Sequence, residues 1–211
     1  MWDLLCSIFF SSLIFVVFRL FDTYKVDTFR AIVVNYITAF TTGLLLYTGD
    51  LSPSQVFSLS WAGGALLLGV LFIVIFNVMA LTSQRHGVGV ASVATKMSLV
   101  IPVIAGLILY DEYLSPLQVA GIILALAAVY FTSLKETNRA DGKDLRLLFL
   151  PLIVFLGSGI IDTAIKYLQE TRVAPSEYPL FSAPIFGFAS LTGLGILLIK
   201  HPSDLKRFNG R

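Results

Sequence analysis

The stretch LSPSQVFSLSWAGGALLLGVLFIVIFNVMALTSQ, residues 51–84, decides the fold because it contains no Asp, Glu, Lys, Arg or His. A helix needs roughly 20 apolar residues to cross the hydrocarbon core of a bilayer, and this stretch is long enough to do so. The whole chain agrees with it, since 56% of the 211 residues are hydrophobic, only 13% are charged, and mean hydropathy is +0.85. A water-soluble domain does not have this balance, so the sequence predicts an integral membrane protein.

Six further apolar runs predict spanning helices on either side of this stretch. Three contain no charged residue or histidine at all: residues 31–49, 113–134 and 178–199. Three are shorter or interrupted: residues 4–18, 88–110 and 147–168. The prediction is therefore an all-α bundle of seven transmembrane helices.

Composition also excludes several classes of function. The net charge of +2 gives no basic surface for nucleic acid phosphates, and Cys6, the only cysteine, rules out an intramolecular disulfide or a cysteine metal cluster. His86 and His201 stand alone in separate loops, so no catalytic set and no metal or other cofactor is predicted. Because no cation precedes the first apolar run and no cleavage site follows it, we expect the first helix to remain in the mature protein.

The basic residues predict an orientation. If the seven helices alternate, twelve of the fifteen Lys and Arg residues fall on one side: Arg19, Lys25, Arg30, Arg85, Lys135, Arg139, Lys143, Arg146, Lys200, Lys206, Arg207 and Arg211. The positive-inside rule makes that side cytoplasmic. We therefore expect the N-terminus outside and the C-terminus of this chain in the cytoplasm, in a membrane that we take to be the bacterial plasma membrane.

A polar linker at residues 135–146 divides the helices into five and two. Ser11 precedes Arg19 in helix one by eight residues, and Ser158 precedes Lys166 in helix six by the same interval. A second unit that begins after an odd number of helices enters the membrane in the opposite sense, as in transporters with inverted repeats. Residues 1–134 are thus predicted to form one five-helix repeat and residues 147–211 the start of a second.

Two stretches in predicted helices four and five carry a family resemblance. The first runs from Gly87-Val-Gly-Val-Ala-Ser-Val-Ala-Thr-Lys to Pro102. The second runs from Leu109-Tyr-Asp-Glu112 through Leu-Ser-Pro116 and Gln118 to Gly121. This text resembles the EamA-type members of the drug/metabolite transporter superfamily. The resemblance implies ten helices in two inverted repeats, a central cavity, and alternating-access transport of small organic molecules. It also implies that three helices are missing here, so we expect either that the sequence is truncated or that another chain or a homo-oligomer supplies the missing part.

Lys96 is the first candidate for binding a solute, because it lies about six residues, or roughly 9 Å, inside helix four. A charge at that depth is costly and is by default functional, whereas the plain alternative is that the side chain snorkels to the headgroups. Pro102 is predicted to kink the helix by leaving the carbonyl of Ser98 without its helical partner. The hydroxyls of Thr95 and Ser98 would add contacts for an anionic or zwitterionic solute.

Three more polar residues complete the predicted site. Asn35 and Asn77 are amides inside uncharged spans, and each either contacts the solute or bonds one helix to another. Asp162 lies four residues before Lys166 and is expected to be neutralised by it; the other interpretation makes Asp162 a proton site.

These observations predict a secondary transporter, not an enzyme, whose partners are a small-molecule solute and the lipid bilayer. The alternative is a seven-helix scaffold or receptor that does not transport.

Overall fold

A computed structural model describes residues 2–47, 58–110, 115–137, 145–174 and 177–200. Every regular element in these ranges is helical apart from short turns, so the all-α prediction is confirmed for the described chain. The eight helices are α1 (Trp2–Thr23), α2 (Thr28–Leu46), α3 (Ala62–His86), α4 (Val88–Met97), α5 (Val100–Tyr110), α6 (Pro116–Thr137), α7 (Leu145–Thr171) and α8 (Tyr178–Lys200).

Six helical segments of the described chain are long and apolar enough to cross a membrane. They are Leu5–Thr23, Thr28–Leu46, Ala62–His86, Val88–Leu109, Phe149–Thr171 and Leu180–Ile199. The fourth of these contains both α4 and α5, so the predicted helix four is one span with an interruption. The remaining helix, α6, corresponds to predicted helix five, and its crossing remains a prediction.

The sequence Ser115-Pro116-Leu117-Gln118 predicts a capping box at the start of a helix, and the structure has this box at the start of α6. The Gln118 amide donates to the Ser115 hydroxyl at 3.3 Å, and the Ser115 amide donates to the Gln118 side-chain oxygen at 2.7 Å. Both bonds satisfy donors that the first helical turn leaves free. The similar Ser-Pro-x-Gln text at Ser52 lies outside the described residues, and α3 itself begins only at Ala62.

Two turns require a positive φ angle. Gly87, with φ 92° and ψ 161°, is the single residue between α3 and α4, and its amide donates to Ser83 at 3.1 Å. That backbone conformation is essentially restricted to glycine, which explains why the sequence has glycine there. Lys25, with φ 55°, ends α1: its amide donates to Asp22 and that of Val26 donates to Phe21, the two bonds of a Schellman motif.

The helices group into two compact units. The first unit comprises Met1–Thr28 and Ile75–Thr163, and the second comprises Phe29–Val74 and Ala164–Arg211. Both α3 and α7 therefore contribute residues to each unit. The boundaries of the predicted repeats, at residues 134 and 147, do not coincide with these units and stay predictions.

In the first unit, α4 packs against α1 and α6, and α5 packs against α6. The ends of α1 and α3 meet through polar groups. Arg19 donates to the Gln84 carbonyl, and the Gln84 side chain donates to the Phe18 carbonyl at 3.1 Å and to the Thr28 hydroxyl at 2.8 Å. The buried Ser83 hydroxyl donates to the Phe15 carbonyl at 2.8 Å. The carboxyl ends of α1 and α3 thus lie at the same end of this unit.

The second unit is built around aromatic rings. Tyr36 stacks on Phe186 with ring centres 5.8 Å apart, and both rings lie edge-on to Phe72. The Tyr36 hydroxyl donates to the Phe72 carbonyl at 3.2 Å, which satisfies a polar group in an apolar core. Near one end of the unit, the fully buried Trp61 donates its indole N–H to the Glu177 carboxylate at 2.7 Å.

Candidate functional site

The Lys96 side chain reaches another helix. Its ammonium donates to the Ser11 hydroxyl of α1 at 2.9 Å, and both residues belong to the first unit. An ammonium has three donors, and this bond uses one of them. Because α4 begins at Val88, Lys96 lies eight residues, or about 12 Å, along its span.

The position of Ser11 bears on the snorkelling alternative. Ser11 lies twelve residues before the end of α1 at Thr23, which is about 18 Å of helix. Because Arg19 and Gln84 join the ends of α1 and α3, that end also lies near the start of α4. A snorkelling lysine would extend toward these helix ends. The bond to Ser11 directs the ammonium across to α1 and away from these helix ends, which argues against snorkelling.

The span that carries Lys96 is interrupted immediately after it. α4 ends at Met97, a turn covers Ser98 and Leu99, and α5 begins at Val100. Pro102 lacks the amide that would bond the Ser98 carbonyl. That carbonyl is nevertheless satisfied, because the Ile101 amide donates to it at 2.9 Å. The helical partner of Ser98 is therefore absent, as Pro102 predicts, and the bond of a tighter turn takes its place.

Asp162 is brought to Lys96 by α7. The two residues interact electrostatically within the first unit, although 66 positions separate them in the sequence. The sequence also predicts neutralisation of Asp162 by Lys166, four residues further along the same helix, and that pairing stays a prediction. Opposite charges lower the cost of placing each other in a membrane, so Lys96 and Asp162 explain each other's presence there.

Ser158 adds a polar atom of a different kind. Its side chain is 6% exposed, and its hydroxyl has no hydrogen-bond partner in the described chain. Ser158 precedes Asp162 by four residues, so the two side chains share one face of α7. Buried hydroxyls usually find a partner, often the carbonyl four residues earlier in a helix. The Ser158 hydroxyl is an exception to this rule among the described residues.

Close helix packing holds this face of α7 in place. An added Cβ at Gly157 would lie 2.2 Å from Ile75 Cδ1 of α3, and one at Gly159 would lie 2.7 Å from Ile101 Cβ of α5. Only glycine permits this approach at either position. The two glycines therefore bring α7 close to α3 on one side of Ser158 and close to α5 on the other.

A groove opens beside Lys96 in the first unit. Its volume is about 400 Å³, within the range typical of ligand sites. The lining comes from the α4–α5 span and from α6, and consists of Lys96, Met97, Leu99, Val100, Gly121 and Leu124. Lys96 is the charged member of this lining, and every other member is apolar.

The remaining predicted residues are placed as follows. The Thr95 hydroxyl donates to the Ala91 carbonyl at 2.9 Å, and the buried Ser98 hydroxyl donates to the Thr95 carbonyl at 2.6 Å. Both hydroxyl protons are therefore used in hydrogen bonds within the same span. Asn77, in the first unit, is half-buried and is engaged within the protein. Asn35 is exposed and belongs to the second unit.

Sequence reasoning did not select Ser11 or Ser158 as site residues. A usable signal was present, because these two serines are the ones that precede a cation by eight residues in helices one and six. The structure adds what the spacing does not show. The Ser11 hydroxyl accepts a hydrogen bond from Lys96, and the Ser158 hydroxyl is buried with no partner in the described chain.

Comparisons with known proteins give one relative. An uncharacterised protein of Haemophilus influenzae is 25% identical over 154 residues, which covers 67% of this chain and 50% of that protein. This chain thus spans about half the length of the relative. No family model matches the sequence, and no solved structure matches it.

Proposed function

We propose that the protein is a secondary transporter of small organic solutes that works by alternating access. In this proposal α6 is a seventh span, α1 to α6 form the first repeat of an EamA-like architecture, and α7 and α8 begin the second. The resemblance of helices four and five supports the assignment, as does the presence of six other segments that can cross a membrane. The greater length of the bacterial relative is compatible with further helices.

One observation carries the proposal: a lysine within a membrane span bonds across to Ser11 and faces the charge of Asp162. A pair of opposite charges inside a membrane contributes little net stability, because each ion loses its hydration. Such residues typically mark a solute or ion pathway. A structural scaffold could fill the same volume with apolar side chains at lower cost.

The site offers complementary groups to a solute. The two donors of Lys96 that Ser11 does not use suit a carboxylate or another anionic oxygen. Asp162 suits a cationic group, and the Ser158 hydroxyl can donate to or accept from either kind of ligand. This combination supports a small anionic or zwitterionic solute, in keeping with the expectation from Lys96.

The interruption after Met97 supplies a place for the span to bend. Alternating access requires parts of the protein to rock around a fixed site, and broken helices near the site are common in such carriers. Because the break lies two residues beyond Lys96, bending there would move the ammonium relative to α5. Pro102 limits the ability of the span to become a continuous helix.

The proposed orientation places the N-terminus outside and the C-terminus in the cytoplasm of a bacterial plasma membrane. Arg19 and Arg85 support it, because the carboxyl ends of α1 and α3 lie together and both carry cations. An alternating bundle needs these two ends on one side, and the positive-inside rule assigns that side to the cytoplasm.

Flux is the test of this function. Solutes that raise the melting temperature of the purified chain would be offered, radiolabelled, to proteoliposomes that contain the chain with a three-helix C-terminal extension. We expect saturable uptake that is lost in Lys96→Gln, with Gly89→Ala as a control on the same helix, because an added Cβ there meets no atom within 4 Å. Solute binding without flux in any preparation would contradict transport and favour the scaffold or receptor alternative.

A further inference from the structure

We propose that the groove beside Lys96 binds a single-chain amphiphile with an anionic head, the head on the Lys96 ammonium and the chain along α6. This inference rests on the proposed function, because it names the class of solute for the same site. Six residues line the groove, and five of them are apolar. A polar metabolite would leave that apolar surface unused, whereas an alkyl chain would cover it.

Gly121 makes the groove accessible to a chain. A Cβ added at this position would meet no atom within 4 Å, so the α6 side of the groove is open space. Leu99 and Leu124 are 56% and 70% exposed, which leaves their apolar surfaces free for contact. The Gln-x-x-Gly sequence at the start of α6 therefore has two roles. Gln118 caps the helix, and Gly121, about one turn further on, leaves this side of the groove open.

Lys96 determines the charge of the occupant. It is exposed in the described chain and lines the groove, so an anionic head can reach its ammonium. Asp162 acts on Lys96 with the opposite charge and would repel an anion. Neutralising Asp162 should therefore strengthen the binding of an anionic head, whereas it would weaken the binding of a zwitterion whose cationic group contacts Asp162. This difference separates an anionic amphiphile from an amino-acid-like solute.

The experiment measures the binding of acetate, octanoate and dodecanoate to the full 211-residue chain in nanodiscs, with empty nanodiscs subtracted. Because each buried methylene contributes up to about 0.8 kcal/mol and an open groove buries about half of each, dodecanoate should bind about tenfold more tightly than octanoate. Lys96→Gln should weaken both by about tenfold or more, since it removes a charged donor. Asp162→Asn should strengthen both.

Gly121→Leu tests the chain contact directly. The new side chain should fill the groove without a clash, weaken dodecanoate about tenfold and leave acetate unchanged. Gly195→Leu is the matched control, because a Cβ at Gly195 also meets no atom within 4 Å, and Gly195 lies on α8 in the second unit. If Gly121→Leu fails to fold, Gly121→Ala should give a smaller loss for dodecanoate in the same direction.

Several results would overturn the inference. The first is equal affinity of the Gly121→Leu variant and the unsubstituted protein for dodecanoate. The second is equal affinity for dodecyltrimethylammonium and for dodecanoate. The third is full competition by phosphatidylglycerol, which would identify the occupant as bulk lipid. The outcome is separable from the proposed function. Dodecanoate binding without flux would remove only the transport proposal, whereas flux of a short polar solute without dodecanoate binding would remove only this inference.

Discussion

Replacing Gly87 with alanine should destabilise the protein through the backbone alone. Gly87 joins α3 to α4 with φ 92° and ψ 161°, a region that side-chain-bearing residues occupy at a cost of about 1–3 kcal/mol. The alanine also reduces the conformational freedom of the unfolded chain, and this separate effect offsets about 0.4–1 kcal/mol of that cost. We expect Gly87→Ala to lower the free energy of unfolding by about 1–2 kcal/mol.

Gly89 provides the matched control two residues away. It lies inside α4, and an added Cβ there meets no atom within 4 Å, so Gly89→Ala should be neutral or should stabilise by up to about 1 kcal/mol. Unfolding in mixed SDS and mild detergent micelles, followed by Trp fluorescence, would measure both variants. Gly87→Asn should be as costly as Gly87→Ala, because asparagine tolerates the left-handed helical region but not this one. Equal stabilities for Gly87→Ala and Gly89→Ala would refute the reasoning.

Three further predictions concern topology, the Lys96 contact and assembly. A reporter fused after Arg211 should be cytoplasmic and a label at Ser115 should react from outside, and the reverse pattern at both sites would contradict the orientation. Ser11→Ala should lower the free energy of unfolding by about 0.6–1.7 kcal/mol, the range for hydrogen bonds between membrane helices, and should weaken solute binding. Ser7→Ala, at an exposed position on the same helix, is the control. An equal effect of the two substitutions would argue against the bond between Ser11 and Lys96. The 211-residue chain alone should show no flux and should self-associate in detergent, whereas a three-helix extension should restore flux; substrate-specific flux from purified monomers would contradict the ten-helix plan.

The fold follows from sequence wherever a physical rule acts locally. Apolar runs of sufficient length predict the spans because the bilayer core requires every backbone group to bond within its own helix. The Ser115 box predicts the start of α6 for the same local reason. The similar pattern at Ser52 predicts that helix three starts there, whereas α3 starts at Ala62, because a short capping pattern and apolar composition do not by themselves define where a helix begins.

The site is predicted less completely because its contacts join distant parts of the chain. Lys96 stands out in the sequence as a charge in a span, but its partners Ser11 and Asp162 lie 85 and 66 positions away. Local spacing instead paired Asp162 with Lys166, because a helix places residues four apart side by side. The attraction between Lys96 and Asp162 depends on how the helices pack, which spacing along one helix does not give, and the pairing with Lys166 stays a prediction.

The most direct test of the account is equilibrium binding of a stabilising solute to the purified chain and to Lys96→Ala, both in nanodiscs. The account predicts that the variant folds with an unchanged helical spectrum and loses binding by tenfold or more, because the ammonium supplies charged hydrogen bonds to the solute and the alanine side chain supplies none. Unchanged affinity in a folded Lys96→Ala variant would contradict the account and would return Lys96 to a structural role.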